Sequence, residues 1–208
     1  MTKRLGVTVW AASTLMLAAL GACTNSADAP AHPSASAVST PAPTTASPGP
    51  SSTSPSEAAA SDASATMRRY FAVTDKVGQN PTASLRPLAS VATSAQLMAV
   101  RTLLQSQHAK GQRQLGDTRV AELTVQSINL DNTDPSAGRV PTALIDVCWD
   151  VSKVDVVDRG GQSIVRSGRP DTGWTRYVVA NYRWSADPRD GWRVASGHDL
   201  KQAPCAAS

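Results

Sequence analysis

The chain is predicted to fold as an α+β domain in which N-terminal helices pack on a strongly curved antiparallel sheet built from its second half. Three observations carry this. Between residues 67 and 110 apolar side chains recur at three- and four-residue intervals. Between 119 and 200 they alternate instead, in runs separated by turn sequences rich in Gly, Asp and Pro. In two of those runs the alternation slips by one residue, as a β-bulge leaves it in sequence, and bulges bend strands.

Before the domain comes a leader. Lys3 and Arg4 precede the apolar run Leu5–Leu20, whose 16 residues fall short of the ~20 that span a bilayer, so residues 1–22 read as an export signal. The run closes on Leu20-Gly21-Ala22-Cys23. That resembles the lipobox of bacterial lipoproteins and implies that Cys23 receives a diacylglyceryl group and becomes the first mature residue. The expectation is a protein lipid-anchored through Cys23 to the cell membrane, on its extracytoplasmic face. Cysteine parity agrees, because three cysteines leave one over in an exported chain unless Cys23 is lipidated. Cys148 and Cys205 then form an even pair in an oxidising compartment, where an intrachain disulfide is the default and two separate buried thiols the alternative. A bridge closing 57 residues is worth about 4 kcal/mol in the chain-entropy treatment.

From Thr24, just after the lipidated cysteine, to Ala63 the chain is almost entirely Ala, Ser, Thr and Pro. Such a segment has too little apolar surface to offset its ordering entropy, so residues 23–63 are expected to be a disordered tether. Over 40 residues it would reach from roughly 35 Å as a coil to roughly 120 Å as polyproline II. Residues 64–208 remain for one domain. The formal net charge of +4 is modest and its basic residues are scattered, which reads as a solvated surface, and the extracytoplasmic compartment makes nucleic acid an unexpected partner.

Within the domain, Met67, Tyr70, Phe71, Thr74 and Val77 make one helical stripe that stops at Gly78. Pro87 opens a short second element. A third runs from an N-cap at Thr93 or Ser94, through Leu97, Val100, Leu104 and His108 on one face, to Gly111 as C-cap. His108 reads as a half-buried histidine favoured by the helix C-terminus, and as a possible pocket-lining group. The first strand run alternates Ala121, Leu123 and Val125, then resumes one step out of phase at Ile128 and Leu130. The second alternates Ala143, Ile145, Val147, Trp149 and Val151 before Val154 and Val156 take over. Asp158-Arg159-Gly160-Gly161 and Asp187–Gly191 read as hairpin turns. The strand between them offers Val178, Ala180, Tyr182 and Trp184 as its apolar face.

Helices followed by a bent sheet in this order resemble the cone-shaped family that includes nuclear transport factor 2, ketosteroid isomerase and scytalone dehydratase. Cys148-Trp149-Asp150, the Val157–Gly161 hairpin, Gly191-Trp192 and the terminal Cys205 are similar to pieces of secreted lipoproteins of actinobacteria. The cone family implies a sheet wrapped on a helix around a pocket, in proteins that range from enzymes to pure binding modules. Trp149 and Tyr182 are the expected lining or plug.

No catalytic residue is assigned. Asp146 and Asp150 share a face with Cys148, away from the apolar side, so neither can be a pocket base; Asp155 is better placed but reads as a solvent-facing carboxylate. The three histidines, His32, His108 and His198, have no metal-ligand spacing, and neither a metal nor a cofactor is expected. Ser196-Gly197-His198-Asp199 holds triad residue types without a nucleophile elbow. Trp149, Trp174, Trp184 and Trp192 fit core and rim packing better than a wall-polymer surface. The expected function is a non-catalytic binding or interaction module of the cell envelope, with an envelope protein as partner. The alternative is a small-molecule carrier, or an isomerase- or dehydratase-like enzyme, using the cone pocket.

Overall fold

A computed structural model describes residues 53–203 and 205. Cys23, the export signal and His32 lie outside these residues. Among the described residues, two α-helices, two 3-10 turns and six strands follow one another in an α+β arrangement.

Helix α1 spans Pro55–Gln79, nine residues earlier than the boundary expected at 64. The reason is a capping box. Ser54 Oγ accepts from the Glu57 amide at 3.2 Å while Glu57 Oε2 accepts from the Ser54 amide at 2.7 Å, and Pro55 sits in the first turn, where its missing N–H costs nothing. The Ala-rich sequence that reads as tether is instead a face of small residues. Ala59 and Ala63 are buried two turns and one turn before Met67, which lets the helix backbone approach the sheet closely. Gly78 lies inside the helix and is no stop; a Cβ there would press on Leu104 and Gln114, at 3.4 and 3.3 Å.

A 3-10 turn at Arg86–Ser90 buries Leu88. Helix α2, Ser94–Lys110, starts at the N-cap Thr93 and ends on Gly111, whose φ of 68° is the left-handed conformation of a glycine C-cap. Val100 and Leu104 face inward, against Val77 and Leu88.

The strands are β1 (Arg113–Leu115), β2 (Arg119–Asn129), β3 (Thr142–Asp150), β4 (Asp155–Val157), β5 (Thr172–Ala180) and β6 (Arg193–Leu200). They form two antiparallel sheets, a four-stranded one in the order β2-β3-β5-β6 and a two-stranded one pairing β1 with β4. The phase slip in β2 is a bulge, because Val125 pairs with Ile145 and Ser127 with Leu144, leaving Gln126 over. A second bulge at Ala121 puts Val120, not Ala121, on the inner face opposite Trp149. The slip after Trp149 has another cause. β3 ends at Asp150, a tight turn closed by the Val154 amide on the Val151 carbonyl (2.9 Å) follows, and β4 belongs to the other sheet.

The inner face of β3 carries Ala143, Ile145 and Val147, all fully buried with Met67, Tyr177, Val179, Trp192 and Val194 in the main core. The apolar face expected of β5 is corrected. Tyr177 and Val179 point inward and Val178 outward, since the near-continuous apolar run Tyr177–Ala180 does not by itself say which side is buried. The outer face carries the disulfide between Cys148 and Cys205, Cα atoms 6.2 Å apart, and two cross-strand ion pairs. Arg176 grips Asp146 through Nε and Nη2 at 2.6 and 2.7 Å, and Arg119 reaches Asp150 at 2.8 Å.

Candidate functional site

At the end of the inner sheet face where β3 finishes and β5 begins, Tyr70, Phe71, Thr74 and Asp75 of α1 and Trp149, Thr175 and Tyr177 of the sheet border a common space. A cavity of about 460 Å³ opens there, within the range of small-molecule sites. Its floor is Trp149, whose indole lies across Gly173 of β5; a Cβ at 173 would overlap the ring. The glycine is what lets the indole lie flat. Trp149 Nε1 donates to Thr175 Oγ1 at 3.0 Å, and Thr175 Oγ1 in turn donates to Asp199 Oδ1 at 2.7 Å. That relay fixes the indole and aims the Asp199 carboxylate from β6.

The opposite wall comes from α1. Tyr70 and Phe71 meet Tyr177 with ring centroids 6.1 Å apart in each case, which forms a continuous aromatic surface. One turn on, Asp75 is only 4 % exposed. Its Oδ1 accepts from Gln114 Nε2 (2.7 Å) and Thr118 Oγ1 (2.9 Å), and its Oδ2 from the Thr118 amide (2.8 Å). Burial pushes its pKa up, and these donors oppose the shift without cancelling it. Burial likewise raises Tyr70 and Tyr177, with the negative charge of Asp75 adding at the first and that of Asp199 at the second. Both hydroxyls therefore stay protonated, in a field made negative by carboxylates.

The rim is Arg169. Its Nη2 donates to the carbonyls of Val151 and Val154, each at 2.9 Å, so the guanidinium is held in place by the turn that ends β3. Two buried side-chain polar atoms lack a hydrogen-bond partner among the described residues, Thr74 Oγ1 and Arg169 Nε. Both residues line this one cavity. Arg169 also borders a second cavity, of about 510 Å³, lined by Ile164–Gly168.

Of the residues expected to line a pocket, Trp149 does so. Tyr182 does not. β5 ends at Ala180, Asn181 turns inward to hold the Asp187 carbonyl at 2.8 Å, and Tyr182 is left on the loop, 51 % exposed. His108 does not either, because its Nε2 lies 3.1 Å from the Val77 carbonyl between the two helices, which places a proton on that nitrogen. Asp155 lies in the small sheet, where its Oδ1 accepts from Val156 N and Ser163 Oγ, both at 2.7 Å. Trp192 is fully buried and takes Trp184 edge-on at 5.9 Å.

Asp75, Thr175, Tyr177 and Arg169 were not legible as a site. One signal was present: an acid four residues after Phe71 sits on the apolar stripe of its helix, where an ionisable group needs buried donors.

No protein-family model matches the chain, and no curated protein does. Among solved structures it is similar to the intermembrane space region of the chloroplast protein ARC6, known from a crystal structure. The identity is 18 % and the TM-score 0.45, over 68 % of this chain and 95 % of that one. A likeness that distant leaves the functional reading to the site itself.

Proposed function

We propose that the chain is a membrane-anchored extracytoplasmic lipoprotein whose domain is a non-catalytic binding module, and that its ligand is a small molecule held between α1 and the sheet. In this reading the four-stranded sheet wraps α1 as a cone and the cavity is its mouth. The observation that carries it is the composition of the cavity, which joins the rings of Trp149, Tyr70, Phe71 and Tyr177 to a few polar groups, Arg169 and Asp199 among them. Aromatic and apolar walls with a small number of polar groups are what small-molecule sites are built from. Because Tyr182 stands clear and Trp149 is pinned flat against the sheet, neither plugs the space.

A binder is favoured over an enzyme because the buried candidate acids and bases are occupied or of the wrong kind, and Asp199 is an exposed carboxylate that already accepts from Thr175. Asp75 has donors on both oxygens, and the two tyrosines hold their protons more firmly than free tyrosine, which suits donors rather than bases. The anchor rests on Leu20–Cys23 and on cysteine parity, since Cys148 and Cys205 are paired with each other.

The test is native mass spectrometry of the mature protein extracted in mild detergent from its own membranes. A chain that begins at Cys23 with diacylglyceryl mass and retains a small molecule supports the proposal. An unmodified N-terminus removes the anchor, and a bare domain that binds nothing in a metabolite screen removes the pocket.

A further inference from the structure

The C-terminal tail builds one wall of a second cavity, on the outer face of the four-stranded sheet. β6 ends at Leu200, and the tail then crosses to β3, where Cys205 is bonded to Cys148 and its carbonyl accepts from Thr172 Oγ1 at 3.1 Å. Between this tail and β2 lies a space of about 450 Å³, within the range of small-molecule sites. Trp174 of β5 lines it, half-buried, with no partner for its indole N–H among the described residues. Trp184 and Trp192 belong instead to the main core, and Trp149 to the cavity under α1. Thr124 and Gln126 of β2 and Gln202 of the tail add one hydroxyl and two primary amides, all exposed and none hydrogen-bonded to another described residue. Gln126 is the residue left over by the β2 bulge, a device that re-aims side chains. The charged member of the lining, Asp146, is held on both oxygens by Arg176. The cavity thus offers one ring and several free polar groups, and no unpaired charge.

We propose that this outer cavity binds a neutral saccharide, with a sugar ring laid on the Trp174 indole and its polar substituents on Thr124, Gln126 and Gln202. The inference goes beyond the cavity under α1 and does not rest on it. A sugar ring joins an apolar C–H face, which suits an indole, to hydroxyls that both donate and accept, and a hydroxyl and a primary amide each answer in both senses. A charged ligand would give up its hydration and meet no opposite charge. An extended peptide fits less well, because bulges at Ala121 and Gln126 interrupt the β2 edge on which its backbone would have to pair. Plain and N-acetylated sugars share the required chemistry, and the acetamido group adds a donor and an acceptor that a side-chain amide matches.

The experiment titrates the full-length protein in detergent, by calorimetry, with cellotriose, tri-N-acetylchitotriose and the polyanionic trigalacturonate. At least one of the two neutral sugars is expected to bind, about tenfold or more tighter than the anionic one. Whichever neutral sugar binds tighter reports whether the source is plain or acetamido. Trp174→Ala is expected to lower that affinity about tenfold or more and Gln126→Ala about threefold. Tyr182→Ala removes an exposed ring elsewhere and is expected to leave it unchanged. Gln126 is exposed at a bulge, so its variant keeps the test open should Trp174→Ala disturb the sheet. Cys205→Ser frees the tail that carries Gln202 and is expected to weaken binding at least as much as Gln202→Ala. No heat with either neutral sugar overturns the inference, as does trigalacturonate binding as tightly as both. So does an affinity that survives Trp174→Ala and Gln126→Ala, or one that Tyr182→Ala lowers as far as Trp174→Ala.

Discussion

The two ends of the inner sheet face are built from the same strands and the same helix, yet one is a dry core and the other a polar cavity. At the dry end Ala143, Ile145, Val147, Val179 and Val194 meet Ala59, Ala63 and Met67 of α1. Two alanines one turn apart let the helix settle onto the sheet, and Trp192 fills what remains. At the open end the helix positions are Tyr70, Phe71, Thr74 and Asp75, and the sheet answers with Trp149, Gly173, Thr175 and Asp199. Large rings and hydrogen-bonded polar groups hold the two layers apart where small ones would have closed them. Residue volume along one helix thus decides where this fold is stable and where it has room for an occupant.

The contrast can be broken first at the dry end. Trp192→Ala empties the largest fully buried side chain and is expected to cost about 3–5 kcal/mol in denaturant unfolding. At the open end Gly173→Ala forces the Trp149 indole off the sheet. Its expected cost is smaller, about 1–3 kcal/mol, with a shift in tryptophan emission that the core variant would not reproduce in the same direction.

Two carboxylates sharpen the comparison through pH. Asp75 has a raised pKa, because burial outweighs its donors. Between the ordinary carboxylate value and the raised one, the folded chain keeps a proton that the unfolded chain has lost. Stability therefore falls as pH climbs through that window and stays lower above it. Asp150 on the outer face does the opposite, since Ser152 and then Arg119 hold its pKa down to about 2. Its contribution is complete above the ordinary value and lost as pH falls towards the lowered one. Urea unfolding from acid to neutral pH is expected to lose its falling limb in Asp75→Asn and part of its acid limb in Asp150→Asn. The smallest effect is expected at Tyr182→Ala, within about 0.5 kcal/mol, because the ring is half exposed and outside both regions; a larger loss would mean that the loop after β5 supports the cavity.

How much of this could be read in the chain varies with the kind of pattern. The bulge at Gln126 was legible because alternation on both sides of it is clean. The same slip after Trp149 was misread, since a tight turn between strands of different sheets displaces the phase just as a bulge does. The start of α1 was hidden by composition. Ala and Ser dominate residues 55–63, and only Ser54-Pro55-Ser56-Glu57 announced a helix. The paired cysteines and the inner face of β3 were legible from parity and period. The cavity was not, because it depends on three separate elements placing Asp75, Arg169 and Asp199 at one mouth, which no local pattern encodes.

The fit of Trp149 over Gly173 has a further consequence, for assembly of the sheet rather than for the site. β3 and β5 could in principle pair one or two residues out of step. A slip of one turns the whole inner set of a strand to the wrong side. A slip of two restores the faces but puts Asp171 or Thr175 opposite the indole, and neither leaves the flat space that a residue without a Cβ provides. Misaligned pairings of the two central strands thus fail at this one contact before the rest of the sheet can close, so a single glycine serves as the fold's alignment check.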